Sequence, residues 1–224
     1  MFSRFAVYIV PDAHDPLYLL ASQWLGWDSV YQQHMEAPSD FSHDIWQSAT
    51  TQPRKYGFHA TMKAPFILQK DKTIEQLELD VGKIAQSINR FTITVRLESL
   101  RGFIALTLQQ ASSNLVALEK KLVTELDQYR TAASADELAR RRQAGLTPRQ
   151  ERLLCDYGYP YVLDEFKFHM TLTGRLTLPQ EHQIYSYLEG KFPSFPYTIQ
   201  IPHIALMGEQ NGRFVLIKRF PLSF

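Results

Sequence analysis

The chain of 224 residues contains one cysteine, Cys155, so an internal disulfide framework and a multi-cysteine metal site are both excluded. It has little net charge: 24 Lys and Arg stand against 23 Asp and Glu, leaving +1. Such a balance gives no global attraction to nucleic acid or to an anionic membrane, so any anion site must be a local concentration of charge. No apolar run approaches the roughly 20 residues of a membrane helix. The first apolar stretch stops at Pro11-Asp12, before a signal-peptide core is complete, and the expectation is a cytoplasmic protein. Glycine is scarce at 10 residues. No Gly-rich phosphate loop, dinucleotide fingerprint or Gly-x-Ser-x-Gly elbow appears, which removes the common nucleotide-binding and serine-hydrolase signatures.

What remains is a repeated phrase. FHAT at Phe58–Thr61 and FHMT at Phe168–Thr171 each place a threonine two residues after a histidine. With 7 histidines and 14 threonines, chance would supply about 0.4 His-x-Thr triplets in a chain of this length. Two of them, each preceded by phenylalanine and embedded in alternating sequence, call for an explanation. In KYGFHATMKAPF, Phe58, Ala60 and Met62 occupy one parity and His59, Thr61 and Lys63 the other. In DEFKFHMTLTGRL, Phe168, Met170 and Leu172 occupy one parity, opposite His169, Thr171, Thr173 and Arg175. Both patterns predict a half-buried strand with a polar comb on one face.

Residues i and i+2 of a strand share a face about 6.5–7 Å apart. A histidine can accept or deliver a proton near neutral pH, and a threonine hydroxyl can donate to a phosphoryl oxygen. Two such pairs converging on one phosphate would supply a base, an acid and two oxygen donors. No metal and no cofactor is called for. Lys63 and Arg175 share the parity of the combs and are candidate substrate-binding cations. Tyr8, on the polar parity of the first predicted strand with Arg4, is a candidate to stack on a sugar or bond a phosphate. Tyr56 lies opposite in parity to His59 and joins the binding candidates if the strand begins after it. Tyr157, Tyr159 and Tyr161 lead into the second motif and are candidates for the cleft mouth.

Elsewhere the periodicity predicts helices over 15–27, 73–87, 113–129 and 179–189, and strands at FTITVRLESL, GFIALTLQ and YTIQI. Asn211-Gly212 between apolar runs predicts a hairpin. Residues 33–54 read mainly as loop, and His34, Glu36, His43 and Asp44 within it have no recognisable ligand spacing. A helical, arginine-rich insert spans about 134–155, with starts at Ser134-x-x-Glu137 and Thr147-Pro148-x-Gln150. Its arginines form either a solvated face or an arm over an anionic substrate. The order of elements predicts an α+β, largely antiparallel fold with weak internal duplication, one motif per half of a single domain spanning 1–224.

The motifs HATM at His59–Met62 and HMTL at His169–Leu172 resemble those of the 2H phosphoesterase superfamily. YGFHATMKAPF, YGYPYVLDEFKFHMTLTGRL and ARRRQAGLTPRQERLL further resemble an uncharacterised 2H family associated with phosphonate-metabolism operons. The resemblance implies a bilobal, pseudo-twofold fold with two mainly antiparallel sheets and flanking helices around a central cleft. It implies metal-independent hydrolysis of cyclic phosphates or 2′-5′ phosphodiesters, with His59 and His169 as the acid/base pair and Thr61 and Thr171 as phosphate-oxygen donors. The phosphonate association implies a ribose cyclic phosphate as substrate. Two other functions compete: an RNA-end or nucleotide 2′,3′-cyclic phosphodiesterase or 2′-5′ phosphoesterase, and a non-catalytic module that holds a phosphorylated ligand. The expected partner is a small phosphorylated molecule. Neutral charge and the lack of an interleaved basic and aromatic stripe argue against long nucleic acid, and no membrane association is indicated. A monomer is compatible with the sequence, which does not set the oligomeric state.

Overall fold

A computed structural model describes residues 2–100 and 102–224. Its first strand, β1 (Phe5–Ile9), is buried along its whole length, which only a central strand with both faces covered can be. Helix α1 (Pro16–Leu25) begins where Asp15 accepts from the Leu17 amide and Pro16 pre-sets the first turn; it ends at Gly26, whose φ of 77° closes the helix. A two-strand ribbon, β2 (Trp27–Asp28) and β3 (Gln33–His34), follows. Helix α2 (His43–Thr50) lies in the stretch expected to be loop. Its polar composition concealed a narrow apolar face: Trp46, Ala49 and Thr50 are buried, and the Trp46 indole donates to the Trp24 carbonyl at 2.5 Å.

Next come β4 (Ala60–Phe66), α3 (Ile74–Gln86), β5 (Phe91–Ser99), β6 (Ile104–Leu108) and α4 (Ser113–Glu125). The insert forms α5 (Ala135–Arg142) and α6 (Pro148–Tyr157), starting at the two predicted caps. Then follow β7 (His169–Thr171), α7 (Leu178–Lys191), β8 (Tyr197–Ile201), β9 (His203–Gln210) and β10 (Arg213–Pro221). The β9–β10 hairpin turns on Asn211 and Gly212, at φ of 51° and 75°, the left-handed pair a tight turn of this kind requires. Among the described residues no helix is long and apolar enough to cross a membrane.

The fold is α+β and antiparallel as expected, but the two sheets of the expectation are halves of one. Eight strands run in the order β10-β9-β1-β4-β7-β6-β5-β8. The motif strands β4 and β7 meet at the middle, with Ala60 opposite Met170. An unpaired edge at the centre would expose amide and carbonyl groups, and joining the two four-stranded halves there removes it. The halves thus place both motifs on neighbouring strands.

Candidate active site

The antiparallel register through Ala60 and Met170 sets His59 against Thr171 and Thr61 against His169. The four side chains therefore share one face of the sheet, with the histidines on a diagonal whose backbone separation is roughly 7–8 Å. Their apolar neighbours Phe58, Ala60, Met62, Phe168, Met170 and Leu172 are all buried, so packing of the opposite face holds the combs in place.

The two histidines are held in the same way. His59 Nδ1 lies 2.9 Å from the Gly57 carbonyl, and His169 Nδ1 lies 2.8 Å from the Lys167 carbonyl. A carbonyl only accepts, so each Nδ1 is the donor. Each neutral ring then presents an unprotonated Nε2, and that of His59 is 3.2 Å from Thr61 Oγ1. Gly57 sits at φ 71°, against the Ser29 side chain, and this turn aims its carbonyl at the ring. Burial lowers the His59 pKa to about 4, the backbone bond opposes that shift, and the nearby charge of His169 adds to it. His169 has its ring edge towards Phe103 at 6.3 Å.

A cavity of about 390 Å³ opens over this face, within the range of small-molecule sites. His59, Thr61 and Thr171 line it; His169 stands beside it rather than in its lining. Tyr8 and Tyr56 also line it. Tyr8 stacks on His59 with ring centroids 3.9 Å apart, and its hydroxyl is buried without a hydrogen-bond partner. Burial raises the Tyr8 pKa, so the hydroxyl remains a donor. Tyr56 is in the wall because β4 begins after it; its ring stacks on Phe214 at 5.3 Å. Tyr159 lines the same cavity, whereas Tyr157 lines an adjoining one and Tyr161 is exposed.

Lys63 and Arg175 are not brought to this cavity, and the backbone explains both departures. Tyr8 pairs with Thr61 but Val7 pairs with Lys63, a register shift that moves Lys63 off the parity of the comb. Lys63 is 4% exposed; its ammonium donates to the Val123 carbonyl at the end of α4 at 3.1 Å and lies 3.7 Å from Asp127. Burial lowers its pKa to about 8. It lines the adjoining cavity. After Thr171, the amides of Leu172 and Thr173 both reach the Ile104 carbonyl, and alternation breaks. Thr173 is buried in the cavity wall, where its hydroxyl accepts from the Ile104 amide, and Arg175 emerges exposed.

Gln52, Pro53 and Gly174 complete part of the wall without any local sequence signal. Arg4, Arg140 and Arg141 also line it, and no aspartate, glutamate or cysteine does. Arg4 is paired with Glu209 at 2.7 Å and Arg141 with Glu137 at 2.9 Å, so the uncompensated charge of this wall is that of Arg140 among the described residues. Among the described residues no three His, Cys, Asp or Glu side chains gather as a set that could hold a metal ion. His34 instead contacts Arg213 and the edge of Trp27.

The family described as "Protein of unknown function (DUF1045)" matches residues 61–215. A protein of Janthinobacterium sp. (strain Marseille) named ribose 1,5-bisphosphate phosphokinase PhnN is 31% identical over 232 residues, covering 99% of this chain and 51% of the relative. A protein of the same name from Laribacter hongkongensis (strain HLHK9) is 30% identical over 173 residues, covering 77% of this chain and 40% of the relative. The chain thus spans about half the length, or less, of these relatives. Among solved structures, E. coli LigT complexed with NADP+ aligns over 100% of this chain and 99% of its own at a TM-score of 0.52 and 17% identity. The apo form of E. coli LigT aligns over the same shares at 0.51 and 16%. These two similarities concern the fold.

Proposed function

We propose, from the premise that the chain belongs to the DUF1045 family and has the 2H phosphoesterase motifs and fold, that it hydrolyses a small cyclic phosphodiester by paired histidine catalysis. The observation that carries this reading is the matched pair of histidines on adjacent strands, each with Nδ1 on a backbone carbonyl and Nε2 left for chemistry. His59, neutral because its pKa is about 4, is the base that takes a proton from water. The resulting hydroxide attacks phosphorus in line with one ring oxygen. His169, as imidazolium, protonates that oxygen as the P–O bond breaks. Thr61 and Thr171 donate to the non-bridging oxygens, and the free Tyr8 hydroxyl adds a third donor. Every proton transfer has a donor and an acceptor among these residues, so no step is assigned to a metal.

The substrate is a ribose phosphate in this reading. The longer relatives bear the name of a ribose 1,5-bisphosphate phosphokinase. The present chain has no G-x-x-x-x-G-K-[ST] segment to grip ATP phosphates, so a role beside such a kinase fits it better than the kinase step itself. Opening a ribose 1,2-cyclic phosphate at the bond to the 2-oxygen leaves a ribose 1-phosphate, a sugar of the class such a kinase takes.

A panel of ribose 1,2-cyclic and 2′,3′-cyclic phosphates, read by phosphorus NMR with and without chelator, tests the proposal. Turnover should survive chelation and fall roughly 10²–10⁴-fold in His59→Ala and in His169→Ala. Preferred turnover of 2′,3′-cyclic nucleotides would move the reading to the nucleotide alternative. Binding without turnover of any of them would leave a phosphate-binding module. Undiminished turnover in the double variant would refute the histidine mechanism.

A further inference from the structure

The basic wall of the cavity has no part in that mechanism, and its construction is unusual. Helix α5 buries none of its residues. It is held by polar contacts instead: Ser134 accepts from the Glu137 amide, Arg141 reaches Glu137 at 2.9 Å, and the Arg141 guanidinium lies 5.1 Å from the Tyr159 ring centre. The helix nevertheless lies over the site. Arg140 and Arg141 line the His59 cavity. Arg140 also lines the adjoining cavity of about 320 Å³, which shares Arg4, Ala64, Pro65 and Tyr159 with the first. One continuous cleft therefore runs from the catalytic face to the underside of α5.

The arginines of the insert divide into two kinds. Arg142 is paired with Glu151 at 2.6 Å and Arg149 with Asp164 at 2.5 Å, and neither lines a cavity. These, with the exposed Arg152, which lines neither cavity, are the solvated face. Arg140 has no hydrogen bond or ion pair among the described residues. Arg141 has a carboxylate on one nitrogen, while its Nε–H is buried and unpartnered. A guanidinium nitrogen taken out of water without an acceptor is costly. An oxyanion at the wall that Arg140 and Arg141 share would relieve that cost and give Arg140 a partner, with the planar bidentate geometry that arginine offers phosphate. The cyclic phosphate cannot be that anion if it occupies the histidine and threonine face.

We propose that Arg140 and Arg141 form a second anion subsite, which holds a phosphate monoester carried by the same substrate at a distance from its cyclic phosphodiester. The proposal rests on the phosphodiesterase reading for the first subsite. It makes the substrate a sugar with phosphate at both ends, and it gives the insert a role in specificity.

The test has two arms. In the first, kcat/KM is compared for ribose 1,2-cyclic phosphate and for the same molecule bearing a 5-phosphate. The native protein should favour the 5-phosphate on the order of ten- to a hundredfold, chiefly through KM. That ratio should collapse toward one in R140Q/R141Q and be partly restored in R140K/R141K. Because α5 buries nothing, the variants should keep the native circular dichroism spectrum. In the second arm, binding of ribose 5-phosphate is measured calorimetrically. It should persist in His59→Ala and in Arg142→Gln and weaken at least tenfold in R140Q/R141Q. A native protein indifferent to the 5-phosphate, or a double variant that keeps the preference, overturns the proposal. If the native protein turns over neither compound, the hydrolase reading falls and the second arm decides alone. Arginine-dependent binding then sustains the anion subsite, and absent or arginine-independent binding ends it.

Discussion

The depressed pKa of His59 makes its environment testable apart from the identity of the substrate. Burial, to which the stacked Tyr8 ring contributes cover, holds the ring near pKa 4, below its ordinary value of 6.5. At about 1.36 kcal/mol per unit, this corresponds to roughly 3 kcal/mol against the imidazolium. At pH 5.5 a base of pKa 4 is about 97% neutral, whereas one returned to 6.5 is about 9% neutral. Tyr8→Ala removes the stacked ring and admits water. The acid limb of kcat/KM should then move from near pH 4 toward 6.5, a relative loss of about tenfold at pH 5.5 when each variant is normalised to its own rate at pH 8. The His59 ring resonances, followed by NMR, should titrate with the same midpoint. Loss of the Tyr8 hydroxyl from the cavity will also lower the rate at every pH, so the position of the limb is the diagnostic quantity. A native limb near 6.5, or a limb that stays near 4 in a folded Tyr8→Ala protein, would refute the reasoning.

Four further outcomes follow from the same structure. In Gly57→Ala the added Cβ would stand 2.7 Å from the Ser29 Cβ and Oγ at a φ of 71°, displacing the carbonyl that holds His59; Tm and kcat should both fall, kcat by tenfold or more. Gly145→Ala, at the same φ with nothing within 4 Å, should cost only about 1 kcal/mol in urea denaturation and leave kcat alone. Lys63 binds its proton less tightly folded, at about 8, than unfolded, at about 10.5. The unfolded chain therefore holds more protons between those values, stability should rise with pH across that window by up to about 3 kcal/mol, and Lys63→Met should flatten the rise. His59 and His203 both have folded values near 4, burial being the first cause in each and the Arg219 charge adding at His203. Their contribution is present above pH 6.5 and lost as pH falls toward 4, so His203→Gln should lessen the acid destabilisation seen in denaturant melts.

Much of this protein was legible because its information is local. Period-two alternation around Phe58 and Phe168 settles which side chains face the core, and the His-x-Thr spacing then places each imidazole and its hydroxyl on the other face. Cap residues such as Thr147, Pro148 and Gln150 mark a helix start whatever surrounds them. Helix α2 escaped notice because a three-residue apolar face is too short to show a period. Alternation also overreached: it carries Lys63 and Arg175 onto the face of the histidines, whereas a register shift in one case and a doubly used Ile104 carbonyl in the other turn them away. Such breaks depend on the partner strand, so no single segment encodes them. The sequence by itself determined the two combs and the antiparallel α+β class. Only the tertiary structure decided that the combs lie side by side at the seam of one sheet, that the His59 ring is desolvated under Tyr8, and that α5 sets Arg140 and Arg141 at the cavity wall. Those features arise from strand order and burial, which join residues about a hundred positions apart.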